Sequence, residues 1–324
     1  MRIYTLSAML VASLTAPLYA VAAPPPSNGA ACRLTQLTSL DLQVQMNGRV
    51  LVPVTIQGTL GYMYLNLGSA FSSLSKQAAA RLALLTTEIA QGLDITVGKN
   101  RVQQYASVAD MKLGAVQLRD EHFLVDPLSH DPSYESGEVS GALGIDRLWS
   151  MDLELDLGQK KLNLYSPDHC PGQGVYWAAE YHVVPLRRDG LGDFYFPMEL
   201  DGKKIEATFG TANPLTTLST DVTRRVFGFD KGSSDIESVT DASGKVTAQY
   251  RAMKLTASGL SLSDERVLLT DPPAGHCRLE VKGEATIGYT GCLYRYPLEL
   301  GSNVLAKLHV YLATKENLMY YTVK

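Results

Sequence analysis

Residues 65–75 read Leu-Asn-Leu-Gly-Ser-Ala-Phe-Ser-Ser-Leu-Ser, and residues 209–219 read Phe-Gly-Thr-Ala-Asn-Pro-Leu-Thr-Thr-Leu-Ser. The two stretches lie 144 residues apart, and sliding the chain on itself by that offset aligns much more than this pair. Leu42, Gly48, Pro53 and Gly58 fall on Leu186, Gly192, Pro197 and Gly202. Leu74, Ser75 and Arg81 fall on Leu218, Ser219 and Arg225, and Asp120-Glu121 falls on Asp264-Glu265. Further along the offset grows to 157 and brings Gly144, Leu148 and Leu155 onto Gly301, Leu305 and Leu312. The second copy therefore carries 13 extra residues, in the segment that holds Cys277 and Cys292. A solenoid needs short units repeated about three times or more, so two copies of about 140 residues describe a duplicated domain.

Each copy reads mainly as β-structure. Val50–Ile56 and Tyr195–Leu200 are alternating or β-branched runs that break at Gly58 and Gly202, and Tyr62–Leu65 and Ile205–Phe209 follow as the second strands of hairpins. Ser75–Leu85 and Ser219–Phe227 predict short helices, each opened by a serine N-cap. Val97–Asn100 and Asp241–Gly244 are turn signals. Met151–Leu157 with Lys161–Tyr165, and Leu308–Leu312 with Leu318–Tyr321, predict closing hairpins. Many short strands at even spacing indicate barrels or sandwiches and exclude a parallel α/β sheet.

This order, hairpin, small polar turn, Ser-Leu-Ser, helix and a late hydrophobic-Gly element, resembles the retropepsin-like aspartic peptidases, specifically bacterial exported members with two fused lobes. Leu143-Gly144-Ile145-Asp146-Arg147-Leu148 and Leu300-Gly301-Ser302-Asn303-Val304-Leu305 resemble the element that supports that family's active-site loop. Leu308–Leu312 with Lys315-Glu316 resembles its C-terminal hairpin. The resemblance covers roughly residues 38–324 and implies an all-β fold with a few short helices, built as two acid-protease barrel lobes related by pseudo-two-fold symmetry. Lobe 1 is expected over 38–166 and lobe 2 over 183–324, with linkers at 23–37 and 167–182. It also implies a monomer with an internal pseudo-dimer, and an interlobe cleft that takes a peptide or protein ligand partly through backbone hydrogen bonds. The cleft would be lined by Leu67, Gly68, Ser69, Thr211, Ala212 and Asn213 and roofed by the turns near Gly98 and Gly244.

The chemistry of the family needs two adjacent carboxylates that share one proton, one acting as base and the other held protonated by like-charge repulsion. Together they activate a water and protonate the leaving group. In this chain Asn66 stands at the first position and Gly210 at the second. Asparagine does not ionise and glycine has no side chain. No Asp occurs between Ser69 and Leu93 or between Lys203 and Thr220, so a small slip of register restores neither acid. Leu67 replaces a hydroxyl that in the family bonds across the lobes, Thr211 keeps it, and Ala212 replaces the second glycine. The expectation is a catalytically degenerate protein acting as a peptide- or protein-binding module; the alternative is a working endopeptidase with a non-standard site.

The rest of the chain narrows the field. At 324 residues with 45% hydrophobic content there is ample chain for a core, and a net charge of −4 supplies no basic excess for nucleic acid. Residues 1–22, with Arg2, an apolar run and Ala20-Val21-Ala22, read as a removed secretory signal, too short for a membrane anchor. The expected location is periplasmic or secreted, with no membrane span after signal removal. In an oxidising compartment Cys32, Cys170, Cys277 and Cys292 favour disulfides, with Cys277–Cys292 local and Cys32–Cys170 bracketing the first half. Neither cysteines nor histidines show metal-ligand spacing, Asp168-His169-Cys170 being an isolated triplet, so no metal and no cofactor are expected. Ser73-Leu74-Ser75-Lys76 spells Ser-x-x-Lys, which helix capping explains better than nucleophilic catalysis. The acidic loop Asp126–Glu138 lacks calcium-loop spacing, and Asp146 reads as a structural hydrogen-bonding group.

Overall fold

The computed structural model describes residues 33–324 apart from 91–94, 98–99, 127–133, 135, 191, 272–277, 280–288 and 291–296. Val50–Ile56 and Thr59–Asn66 form an antiparallel hairpin with Ile56 opposite Thr59. Its two-residue turn, Gln57-Gly58, has both φ angles positive (49° and 77°), the twist that matches flanking strands. The second copy repeats this with Phe194–Leu200 and Lys203–Gly210, turning at Asp201-Gly202 with φ of 48° and 72°.

Each hairpin begins a closed six-strand barrel. In the first the strand order is Val50–Ile56, Thr59–Asn66, Val139–Gly144, Ser73–Ser75, Val116–Asp126 and Gln104–Leu113, and the last strand pairs back to the first through Thr55↔Lys112 and Ile56↔Met111. In the second it is Phe194–Leu200, Lys203–Gly210, Leu298–Gly301, Thr217–Ser219, Leu260–Thr270 and Val246–Ala257, closed by Glu199↔Thr256 and Leu200↔Leu255. Closure leaves these strands without a free edge. The molecule is mostly β, with only a few short helices. Val50, Val52, Met63, Leu65, Leu74 and Phe123 in one barrel and Phe196, Leu200, Phe209, Leu218 and Val267 in the other belong to one continuous apolar core. Each such side chain stabilises the fold by about 1.5–3 kcal/mol on burial.

The closing hairpins meet. Gln36–Asp41, Lys161–Tyr165, Asp152–Asp156, Leu308–Ala313, Leu318–Val323 and His182–Pro185 make one six-strand sheet in that order, three strands from each half. The seam is antiparallel, with Leu153↔Leu312, Glu154↔Tyr311 and Leu155↔Val310. One face, including Leu153, Leu155, Val310 and Leu312, joins the core. The other carries Tyr165, Tyr311 and Tyr320 beneath Val175 and Trp177 of the segment joining the halves.

Two helix expectations are corrected. The first helix covers only Lys76–Arg81; Ser75 caps it through the Ala78 amide, but Ala83 turns left-handed (φ 49°) and Leu85–Glu88 is a strand. The second is one turn at Thr220–Val222 followed by a π-helical turn at Thr223–Phe227, stopped by Gly228 with φ of 76°. Ser219 makes no side-chain cap bond. Its hydroxyl is buried under the barrel without reaching the helix amides.

Candidate functional site at the junction of the barrels

The strand Thr59–Asn66 runs parallel to Val139–Gly144 and places Asn66 opposite Gly144. Lys203–Gly210 runs parallel to Leu298–Gly301 and places Gly210 opposite Gly301. Asn66 and Gly210 thus end equivalent strands at equivalent registers. The turn after each is also equivalent: Ser69 N–H donates to Asn66 O at 3.1 Å, and Asn213 N–H donates to Gly210 O at 2.8 Å.

Matched brackets hold the two turns. In the first, Ser72 Oγ donates to Asp146 Oδ1 at 2.5 Å and accepts from the Gly144 amide at 2.9 Å, while Asp146 Oδ2 accepts from the Ser72 amide at 3.0 Å. In the second, Thr216 Oγ1 donates to Asn303 Oδ1 at 3.0 Å and accepts from the Gly301 amide at 3.1 Å, while Asn303 Oδ1 accepts from the Thr216 amide at 2.8 Å. Asp146 is the partner of a hydroxyl and an amide, the work that a neutral Asn303 performs in the other barrel. Ser75 is spent on its helix cap, and Lys76 is exposed one residue beyond it.

The turns lock together asymmetrically. Thr211 Oγ1 donates to Leu65 O at 2.7 Å and accepts from the Leu67 amide at 2.9 Å. Leu67 has no hydroxyl to return the bond. Both residues are fully buried (0% exposed), so they hold the barrels together and do not face a ligand. Gly68 is close-packed as well: a Cβ there would run into the Phe209 carbonyl of the other barrel. Asn66, Ser69, Ala212 and Asn213 remain half-buried. Ser302 Oγ crosses the same junction to donate to Gly48 O at 2.6 Å.

The sequence reading passed over Glu299. It lies two residues before Gly301, and its Oε2 accepts from Asn213 Nδ2 at 2.7 Å. A Cβ built on Gly210 would stand 3.3 Å from Glu299 Cβ. Burial raises the pKa of its carboxyl, and the Asn213 hydrogen bond opposes that shift. The signal was present as one acid in Leu298-Glu299-Leu300-Gly301, where the first copy has Gly141-Ala142-Leu143-Gly144.

A second polar cluster lies on the outer face of the interlobe sheet. His169 Nε2 is 2.5 Å from Asp152 Oδ2 and its Nδ1 is 2.9 Å from Cys170 O. Both ring nitrogens face acceptors, the arrangement of an imidazolium. Burial pulls the His169 pKa down, but the Cys170 carbonyl and the Asp152 carboxylate outweigh it and leave it raised. Asp152 also accepts from Tyr311 and from the Thr314 amide and hydroxyl. Glu154 accepts from His309, Tyr165, Tyr176 and Asn163. Burial raises the Glu154 pKa and these donors, His309 foremost, bring it below its ordinary value. Trp177 stacks on His309 with ring centroids 3.8 Å apart. Asp168-His169-Cys170 is therefore part of a built anchor and not an isolated triplet.

Gly98 lies outside the described residues. Gly244 sits in an exposed turn that Asp241 organises by accepting from the Ser243 and Lys245 amides. Cys32, Cys277, Cys292, residues 1–22 and most of the acidic loop also lie outside the described residues. Among the described residues no group of three His, Cys, Asp or Glu side chains is placed to hold a metal, and no helix is long and apolar enough to cross a membrane. A groove of about 700 Å³ runs between Val183–Pro185, Pro197–Glu199 and Thr256–Leu260 and touches neither turn.

Two closed six-strand barrels joined by a shared sheet, with their equivalent turns abutting, form a double-barrel fold compatible with an aspartic-protease-like architecture. No protein-family profile matches the chain, and no curated protein does. Among solved structures the chain is similar to conglutin gamma, a basic 7S globulin from lupine seeds, at 12% identity over 90% of this chain and 96% of that one, with a TM-score of 0.49. A likeness at that level bears on neither activity nor ligand.

Proposed function

We propose that this chain is an exported, retropepsin-like protein whose interlobe cleft binds an extended peptide or protein segment without cutting it. The observation that carries this reading is the junction itself. The two turns, their brackets and one cross-lobe hydroxyl are kept, while the residues at the two acid positions are Asn66 and Gly210. Extended peptides bind largely through main-chain hydrogen bonds, which do not need the acids. Gly68, Ser69, Ala212 and Asn213 would line the floor, and the turn at Gly244 would roof it. Neither metal nor cofactor enters this function, and one chain supplies both lobes.

Removal of residues 1–22 and a periplasmic or secreted location complete the proposal. So do two disulfides. Cys32–Cys170 is supported by the pairing of Gln36 with Tyr165 and the Ser166 amide on Thr35 O, which bring the flanking chains together. Cys277–Cys292 is supported by the pairing of Arg278 with Thr290 between them.

The alternative, an active endopeptidase, draws on Glu299 beside position 210. A lone carboxyl beside position 210 lacks the second carboxylate that the aspartic mechanism requires. The test is a peptide-library assay on the mature protein from about pH 3 to 8, reading both binding and cleavage. Binding without cleavage supports the proposal. Cleavage lost in Glu299→Gln supports the alternative, and neither binding nor cleavage removes both.

A further inference from the structure

Glu299 is an acid on one side of an otherwise matched junction. Its equivalent in the first barrel is Ala142, so the duplication itself does not call for a carboxyl there. Its sheet neighbours are Thr208 on one strand and Thr217 on the other. Thr208 spends its hydroxyl on Phe194 O at 2.6 Å. Asn213 fixes Oε2 at 2.7 Å, and among the described residues no Lys, Arg or His pairs with Glu299. The side chain is half-buried, and no described group bonds its second oxygen, Oε1.

A carboxyl taken partly out of water is costly unless an opposite charge or strong donors replace the lost hydration. Asn213 supplies one neutral donor. A cation at Oε1 would supply the strongest replacement, because a charge-assisted bond is worth about twice a neutral one. The position of the acid beside Gly210, with Asn213 of the same turn orienting it, puts such a cation at the floor of the junction. We infer that Glu299, oriented by Asn213, gives the interlobe cleft a subsite for a cationic side chain, lysine or arginine, of the bound peptide. This inference rests on the peptide-binding reading above. The same carboxylate repels an acidic side chain at that subsite, so the pocket selects by rejection as well as attraction.

The test uses calorimetry on the whole mature chain with extended peptides identical except at one position, which carries Lys, Met or Glu and is moved along the peptide in turn. The expected result is one position at which Lys binds about tenfold or more tightly than Met and Glu binds more weakly than either. In Glu299→Gln, which keeps the shape and the Asn213 donor, Lys and Met are expected to converge within about twofold. The melting temperature of that variant separates lost selectivity from lost folding. An Asn213→Ala variant is expected to weaken Lys selectivity without abolishing binding of the Met peptide. Equal affinity for Lys and Met at every position, or undiminished selectivity in Glu299→Gln, overturns this inference and leaves the peptide-binding reading standing. Absence of binding by every peptide overturns both.

Discussion

The Thr211 hydroxyl accepts from the Leu67 amide at 2.9 Å and donates to the Leu65 carbonyl at 2.7 Å, so a single side chain of the second barrel satisfies two main-chain groups of the first. Thr211 and Leu67 are equivalents in the duplication, yet only Thr211 carries a hydroxyl.

Removal of that hydroxyl leaves a buried amide and a buried carbonyl unpaired. Thr211→Val, which keeps the volume, is expected to lose about 2–4 kcal/mol, and Thr211→Ser less than about 1 kcal/mol. Urea unfolding of both variants checks this. Equal losses would mean that packing and not the bond pair holds the seam.

Asp146 faces the same kind of comparison. Because Asn303 performs its role in the other barrel, Asp146→Asn is expected to be tolerated within about 1 kcal/mol, while Asp146→Ala strips two donors of their acceptor and loses about 2–3 kcal/mol. Thermal melts read both. Peptide binding should persist in Asp146→Asn, since the side chain braces the turn from behind.

Restoring the acids tests the junction directly. Asn66→Asp with Gly210→Asp is expected to yield acid-pH cleavage that neither single variant shows, since the mechanism needs the pair. The Gly210 change should lower stability by about 1–2 kcal/mol, because its Cβ would stand 3.1 Å from the Leu300 carbonyl. Peptide cleavage followed by mass spectrometry supplies the readout.

The anchor on the outer face of the shared sheet predicts a stability window. His169 has its folded pKa above the ordinary 6.5, so its contribution is complete below that pH and is lost as pH rises through the folded value. Glu154 has its folded pKa below the ordinary 4.5, so its contribution is present above that pH and is lost as pH falls through the folded value. Glu299, with a raised pKa, adds a penalty as pH rises above 4.5. The melting temperature should therefore peak between about pH 4.5 and 6.5. His169→Gln should lower stability at that peak by about 3 kcal/mol and flatten its alkaline side. An unchanged profile in this variant would remove His169 as the cause.

Local structure was legible in the sequence where one residue pattern answers to one neighbour. Val50–Ile56 is a strand with the expected bounds because its alternation and the Gln57-Gly58 turn are both encoded within a few residues. Asn66 and Gly210 could be placed because the chain carries its own second copy as a reference. The shared sheet was read only as two closing hairpins, since nothing in Met151–Leu157 says that its partner lies over 150 residues away. Asp152, Glu154 and Asp156 alternate along one strand yet are all buried, the first two bonded to His169 and Tyr176 of the segment joining the halves, contacts that no local pattern encodes. Glu299 escaped notice because one acid in an apolar strand acquires meaning only when the fold brings it to Asn213.

Leu153↔Leu312 and Leu155↔Val310 are where the two halves of the shared sheet become one. Take either half alone and its three-strand sheet ends in a bare, alternating edge that recruits any strand able to complete it. In a solution of identical half-chains the available strand is the same edge of a second copy. A free-standing half thus presents a pairing edge, and how fully that edge is covered depends on concentration. Carrying both halves on one chain removes that dependence on concentration, and it also removes the need for the halves to be identical. Once the partner is guaranteed, the two copies need not match, and Leu67 and Thr211 do not.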